Sequence, residues 1–322
     1  MRLKNWLAFA GVCTLMSTHA LAQEVSQDDR NFAHAVRGFI ALTVQKVDAA
    51  DREFSLIVPK KDYLGADKYP HVITSLMKGD VARAEKHLEA ALVLPEKDDD
   101  SWGGMIDRAT RYHAHLFFAA LVADAKGDRP KVYSSLAGMG ESFFQPYSTT
   151  ALCLVLPFIS AVRGDLKQTL AYEDAWKALD RLFSTSGFGR RSEYDDSISA
   201  ALKVFFTYTA GDMPGVRKQV QDRILSPNSS FTEHWRLFYS LVTIREGEKA
   251  KPIYDKLPEW QRPFTMGWIA ATLEHFPDRR AEARAIYLEL SEMTKKRDVY
   301  PRILGSEDLA FVEMGLEATK PQ

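Results

Sequence analysis

Four side chains between positions 108 and 115 have the types and the spacing to hold an anion. Arg108, Arg111, Tyr112 and His115 fall at i, i+3, i+4 and i+7, so on a helix they form one stripe. Two guanidinium forks suit carboxylates or phosphates, a phenol ring gives a stacking face, and an imidazole titrates near neutrality. An exposed face would be solvated equally well by Lys or Glu. The composition therefore points to a binding stripe for an anionic group on a peptide or a sugar. The adjoining Glu96–Gly104 reads as a turn-rich loop long enough to fold over the stripe and bring Trp102 to it. The competing reading is an ordinary solvated helix face.

Other clusters do not complete a known chemistry. His113 and His115 are two residues apart, so on a helix they point about 200° away from each other and cannot share a metal ion. Counting a calcium loop from Asp98 places Gly103 sixth but Ala109 twelfth, where a bidentate Glu belongs. Gly187-Phe188-Gly189 lacks the third glycine and the preceding strand of a dinucleotide site. No G-x-S-x-G elbow is present, and Cys153 lies in an apolar run as a core thiol. No catalytic residue, metal or cofactor is expected. An enzyme acting on envelope glycans would need carboxylates such as Asp107, Glu193, Asp195 and Asp196 to converge as an acid/base pair.

The elements that must position these residues are helices separated by Gly-Asp turns. Such turns stand at Gly79-Asp80, Gly127-Asp128, Gly164-Asp165 and Gly211-Asp212, with Gly247-Glu248 as a weaker fifth. The glycine supplies the left-handed conformation that ends one helix, and the Asp caps the next. After Asp80, Ala84, Leu88, Ala91 and Leu92 make one apolar stripe, and Pro95 stops the run. Intervals between the glycines are 48, 37, 47 and 36 residues. No β-hairpin signal appears, and the spacing predicts an all-α chain of antiparallel helix pairs. The opening helix reads from Asn31 through Val47 on the spacing of Phe32, Val36, Phe39, Ile40, Val44 and Val47. Pro252 makes the unit after Gly247 doubtful, and a last pair follows around the turn at Pro277.

The stretch 69–95 resembles a tetratricopeptide repeat, with Gly-Asp, a small residue at Ala84, a large apolar residue, Ala-Leu and a closing Pro. The motif thins later, where Val132 and Thr169 take the small-residue position. The resemblance implies a right-handed solenoid over 31–318, with a groove lined by the first helix of each pair. In the family's register that groove would include Tyr69, Ile73, Phe117, Leu121, Leu154, Phe158, Phe205 and Tyr208. The same apolar residues are equally a helical core. The Lys and Asn pattern with which some members grip a peptide carboxylate is missing.

The first 22 residues run from Arg2 and Lys4 through an apolar middle to Ala20-Leu21-Ala22, the order of a cleavable signal peptide. Residues 23–30 read as a disordered lead. Without Arg2 and Lys4, 40 basic residues stand against 43 acidic ones, a balance that offers no nucleic-acid surface. No later run reaches the roughly 18 apolar residues of a membrane helix. The expectation is a periplasmic, non-enzymatic scaffold for a protein or peptide partner, or an anionic glycan. Its setting would be envelope assembly, secretion or polysaccharide export. The alternative is an all-α glycan hydrolase or lyase.

Overall fold

One backbone turn recurs through the chain and explains why its helices come in pairs. In the computed structural model, which describes residues 25–58, 66–91, 102–140, 156–171, 193–224, 232–295 and 306–321, every described element is helical. Gly79 has φ of 75°, and its N–H donates to the Leu76 carbonyl while the Asp80 N–H reaches back to Ser75. This double closure satisfies carbonyls that the helix end leaves without partners. Asp80 then starts the next helix, its Oδ1 accepting the Arg83 N–H at 3.0 Å. Asp128 and Asp165 cap Lys131 and Gln168 in the same way. Glycines 127, 164, 211 and 247 have φ between 73° and 101° and repeat the backbone pattern.

The chain divides into two units, 58–212 and a second formed by 1–57 with 213–322. In the first unit, α3 (Tyr69–Met77) pairs with α4 (Val81–Ala91), and α5 (Trp102–Lys126) with α6 (Arg129–Gly140). Helix α5 also packs on α3 and α4. Two further helices, α7 over residues 156–162 and α8 over 166–171, flank the Gly164 turn, and α9 (Glu193–Thr209) follows. Small residues lie in the unit's interior: Ala84, Ala119, Ala120, Ala123 and Ala161 are buried. The Arg163 guanidinium donates to the Leu76 carbonyl, tying α7 to the end of α3.

The other unit opens with α1 (Gln27–Thr43) and α2 (Val47–Ser55). Ser26 and Asp29 form a reciprocal capping box, so the helix begins at Gln27, inside the stretch expected to be disordered. It also ends earlier than expected, because Gln45 takes φ of 62° and breaks the anticipated single helix into a hairpin. The Gln45 N–H donates to Leu42 and the Lys46 N–H to Ala41, the same closure the glycine turns make. The buried face is rotated accordingly: Ala33, Arg37, Gly38, Ile40 and Ala41 point inward, while Phe32, Val36 and Phe39 are only half-buried. Gly38 is required at the crossing, since a Cβ there would lie 2.5 Å from the Phe54 ring.

Helix α10 (Met213–Ile224) pairs with α11 (Thr232–Arg245), where the Arg223 guanidinium covers the fully buried Trp235 ring at 4.8 Å. The turn at Gly247 forms, but with Pro252 in its first turn α12 (Lys251–Tyr254) lasts only four residues. Helix α13 (Arg262–Leu273) pairs with α14 (Arg280–Lys295), and α15 (Ser306–Ala318) packs on α14. Helix α1 packs against α13 and α15, so a helix from the start of the chain folds onto helices near its end. Pairs in this unit thus depart from simple chain order. No described helix is long and apolar enough to cross a membrane.

Candidate functional site

The stripe singled out by its chemistry lies on α5, in the 58–212 unit. Trp102 is the first residue of that helix rather than part of a loop folded over it, and Arg108 and Arg111 follow on the same helix. For these three only the backbone is described, and segment 92–101 lies outside the described residues. Tyr112 has 52 % of its surface exposed. His115 is turned partly inward, and its Nδ1 is buried without a hydrogen-bond partner. Burial, then the Lys131 charge on α6, lowers its pKa, so it is a neutral imidazole at neutral pH. Tyr112 and His115 therefore do different things: one meets solvent, and the other meets the seam with α6.

The expected groove residues divide in another way. Phe117, Phe158 and Tyr208 are buried, as is Leu121, while Phe205, Tyr69 and Ile73 are half-buried. Phe158 and Phe205 come together, stacked at 5.7 Å between ring centres, and Tyr69 stacks on Phe118 at 4.4 Å. These rings fill the spaces between α7 and α9 and between α3 and α5. Leu154 and Cys153 lie outside the described residues, as do 187–191. Glu193, Asp195 and Asp196 fall in the first turn of α9, and Asp107 on α5, with their side chains not described.

A buried polar cluster lies elsewhere, in the unit formed by 1–57 with 213–322. Arg37 on α1 is 2 % exposed. Its Nη2 and Nη1 bind Glu274 Oε1 at 2.7 Å and Oε2 at 3.1 Å, a bidentate fork. Its Nε donates to Glu53 Oε1 on α2 at 3.1 Å, while His34 Nδ1 lies 2.8 Å from the other Glu53 oxygen. Tyr287 on α14 donates to Glu274 Oε2 at 2.8 Å. The Tyr287 ring is held against the α15 backbone, where a Cβ at Gly315 would sit 2.2 Å from it.

Burial alone would lower the Arg37 pKa, but Glu274, then Tyr287 and Glu53, hold the guanidinium above its ordinary value. Burial pulls Glu53 up, yet the hydrogen bond from His34 and the Arg37 charge outweigh it and leave the carboxyl below its usual range. For Glu274 the balance reverses: burial prevails over Arg37 and Tyr287, and the pKa is raised. With two guanidinium bonds and a phenol hydrogen bond, its geometry is still that of a carboxylate at neutral pH. Tyr287 is pushed upward by burial, then by Glu274. Next in the chain, His275 is lowered to about 4, by burial first and the Arg37 charge second.

Sequence reasoning missed this cluster because its members span positions 34 to 287. One signal was available: Arg37 shares the helical face of Ala33, Ile40 and Ala41, a charge on a stripe otherwise small and apolar. Among the described residues no group of three His, Cys, Asp or Glu is placed to hold a metal ion. Comparison with family models, curated proteins and solved structures returns no match.

Proposed function

We propose that the chain is an exported, non-enzymatic binding or scaffold protein whose helix pairs stack as a tetratricopeptide-like right-handed solenoid. It holds a protein or peptide partner, or an anionic glycan, in the periplasm during envelope assembly, secretion or polysaccharide export. The observation that carries the repeat reading is the turn itself, with one backbone closure recurring at Gly79, Gly127, Gly164, Gly211 and Gly247. Stacked repeats present extended surfaces that such proteins use for binding. Export rests on the leader, from Arg2 to Ala22.

The contact surface we assign is the α5 stripe of Arg108, Arg111, Tyr112 and His115, of which Tyr112 is 52 % exposed. Changing Arg108 and Arg111 together to Ala tests it. In co-purification from its own periplasm, the double variant is expected to lose the partner recovered with the tagged mature chain. Its helicity and melting temperature should stay near those of the parent. Normal recovery of the partner, or unfolding of the variant, would move the contact surface elsewhere.

A further inference from the structure

Besides packing on α15, the hairpin α1–α2 meets α13 and the turn that follows it through ring contacts and through charge. Phe39 meets the Trp268 ring edge-on at 6.4 Å, Arg37 forks onto Glu274, and Lys46 Nζ lies 5.8 Å over the Phe276 ring. Between the last two contacts, at the end of α13, lies His275. Its side chain is 11 % exposed, and its Nε2 is buried without a hydrogen-bond partner. Three cations that act on it belong to the hairpin. Arg37 comes from α1, Lys46 from the turn and Arg52 from α2. The opposing charges are Glu53 on α2 and Glu274, whose Oε1 is 3.9 Å from Nε2 but already held by Arg37. From α14 the cluster receives Tyr287, which bonds the other Glu274 oxygen.

We propose that α1–α2 is a proton-released arm, with His275 beneath it as the sensor: charging this imidazole undocks the hairpin from α13 while the rest of the unit stays folded. A positive charge added there meets three cations carried by the arm and finds no free acceptor. Leaving the site relieves it by removing those cations and admitting water. The sign follows from the direction of the shift. A histidine held below its ordinary 6.5, at about 4, contributes stability that is full above 6.5 and is lost as pH falls toward 4. Glu53, held below its ordinary value, acts the same way at lower pH, whereas Glu274, held above its own, opposes it. As the pH falls the histidine acts before Glu53, whose window lies below the ordinary carboxylate value.

Hydrogen exchange on the full chain tests the arm, read as protection factors so that the intrinsic pH dependence of amide chemistry is removed. Between pH 7.5 and pH 5, protection over 27–55 should fall on the order of thirtyfold, the factor expected for a site titrating near 4 when docked and 6.5 when free. Protection over 232–245 and 280–290 should hold. In His275→Gln the fall should shrink to below about threefold, since Glu53 and Glu274 remain to titrate. The exposed pair Lys46→Gln with Arg52→Gln should move the opening to lower pH, because two of the three repelling charges are gone.

Uniform loss of protection across the unit, or none at all by pH 4.5, would overturn the proposal. So would His275→Gln opening at the parental pH. If that variant falls short of parental protection at pH 7.5, the double variant decides, and an unchanged opening pH there overturns the proposal as well.

Discussion

Two hairpin turns with the same hydrogen bonds, one at Gly79 and one at Gln45, arise from different causes. At Gly79 the chain needs only its own residues. Glycine takes φ of 75° without strain, nothing lies within 4 Å of where a Cβ would be, and Asp80 caps the helix that follows. At Gln45 the backbone takes φ of 62° with a side chain that disfavours it, at a cost of roughly 1 kcal/mol or more. What offsets that cost comes from far along the chain, through Phe39 on Trp268, Lys46 over Phe276, and Arg37 on Glu274, 237 residues distant. The first turn is built locally and the second is imposed by packing. The difference predicts where substitutions will hurt most.

The largest effect should come from cutting the long-range tie. Arg37→Met leaves Glu274 and Glu53 in the interior without their shared cation, and removing one partner of a buried pair costs about 3–5 kcal/mol. Denaturant unfolding monitored by circular dichroism should show that loss. Adding Glu274→Leu should recover a large part of it, because the most deeply buried carboxylate left without its cation is then removed, with the Tyr287 hydroxyl losing its acceptor in exchange. Additive losses in the pair of variants would mean that the bidentate fork does not hold the hairpin.

A smaller effect belongs to the local turn. Gly79→Val forces a β-branched residue into the left-handed region and should destabilise by roughly 1–2 kcal/mol, with no clash to add to it. Asp80→Ala removes the cap on Arg83 and should cost about 1 kcal/mol. Both losses should appear as lower unfolding midpoints with unchanged helical content. A silent Gly79→Val would show that this turn, too, is imposed from outside.

These magnitudes explain what could be read from the sequence. The Gly-Asp turns were legible because a positive φ and a side-chain cap are properties of neighbouring residues, and the helix pairs followed from them. Pro252 gave its warning for the same reason, and α12 is indeed brief. The break after Thr43 was not legible, since Gln carries no turn signal and apolar spacing ran straight through it. The true inward face of α1 was hidden too, because it is made of small residues around a buried charge. On α5 the periodicity placed Arg108, Arg111, Tyr112 and His115 on one helix. Whether each residue faces solvent or the seam with α6 depends on a neighbour that spacing does not specify, as His115 beside Lys131 illustrates.

The smallest expected effect is the most direct test of the contrast between the two turns. Gln45→Gly removes the strain of a left-handed non-glycine residue, worth roughly 1 kcal/mol. It also gives the unfolded chain more freedom, which costs about 0.4–1 kcal/mol in the other direction. The two terms nearly cancel, so the net gain should be a few tenths of a kcal/mol, visible as a slight rise in melting temperature. The informative measurement is the same substitution made in the Arg37→Met background. With the Arg37 tie cut, the hairpin depends more on its own turn. Glycine at 45 should then restore more protection to α1–α2 in hydrogen exchange than it adds in the parent chain. Equal gains in both backgrounds would mean that turn and tie act independently, and that Gln45 keeps its conformation without help from Arg37.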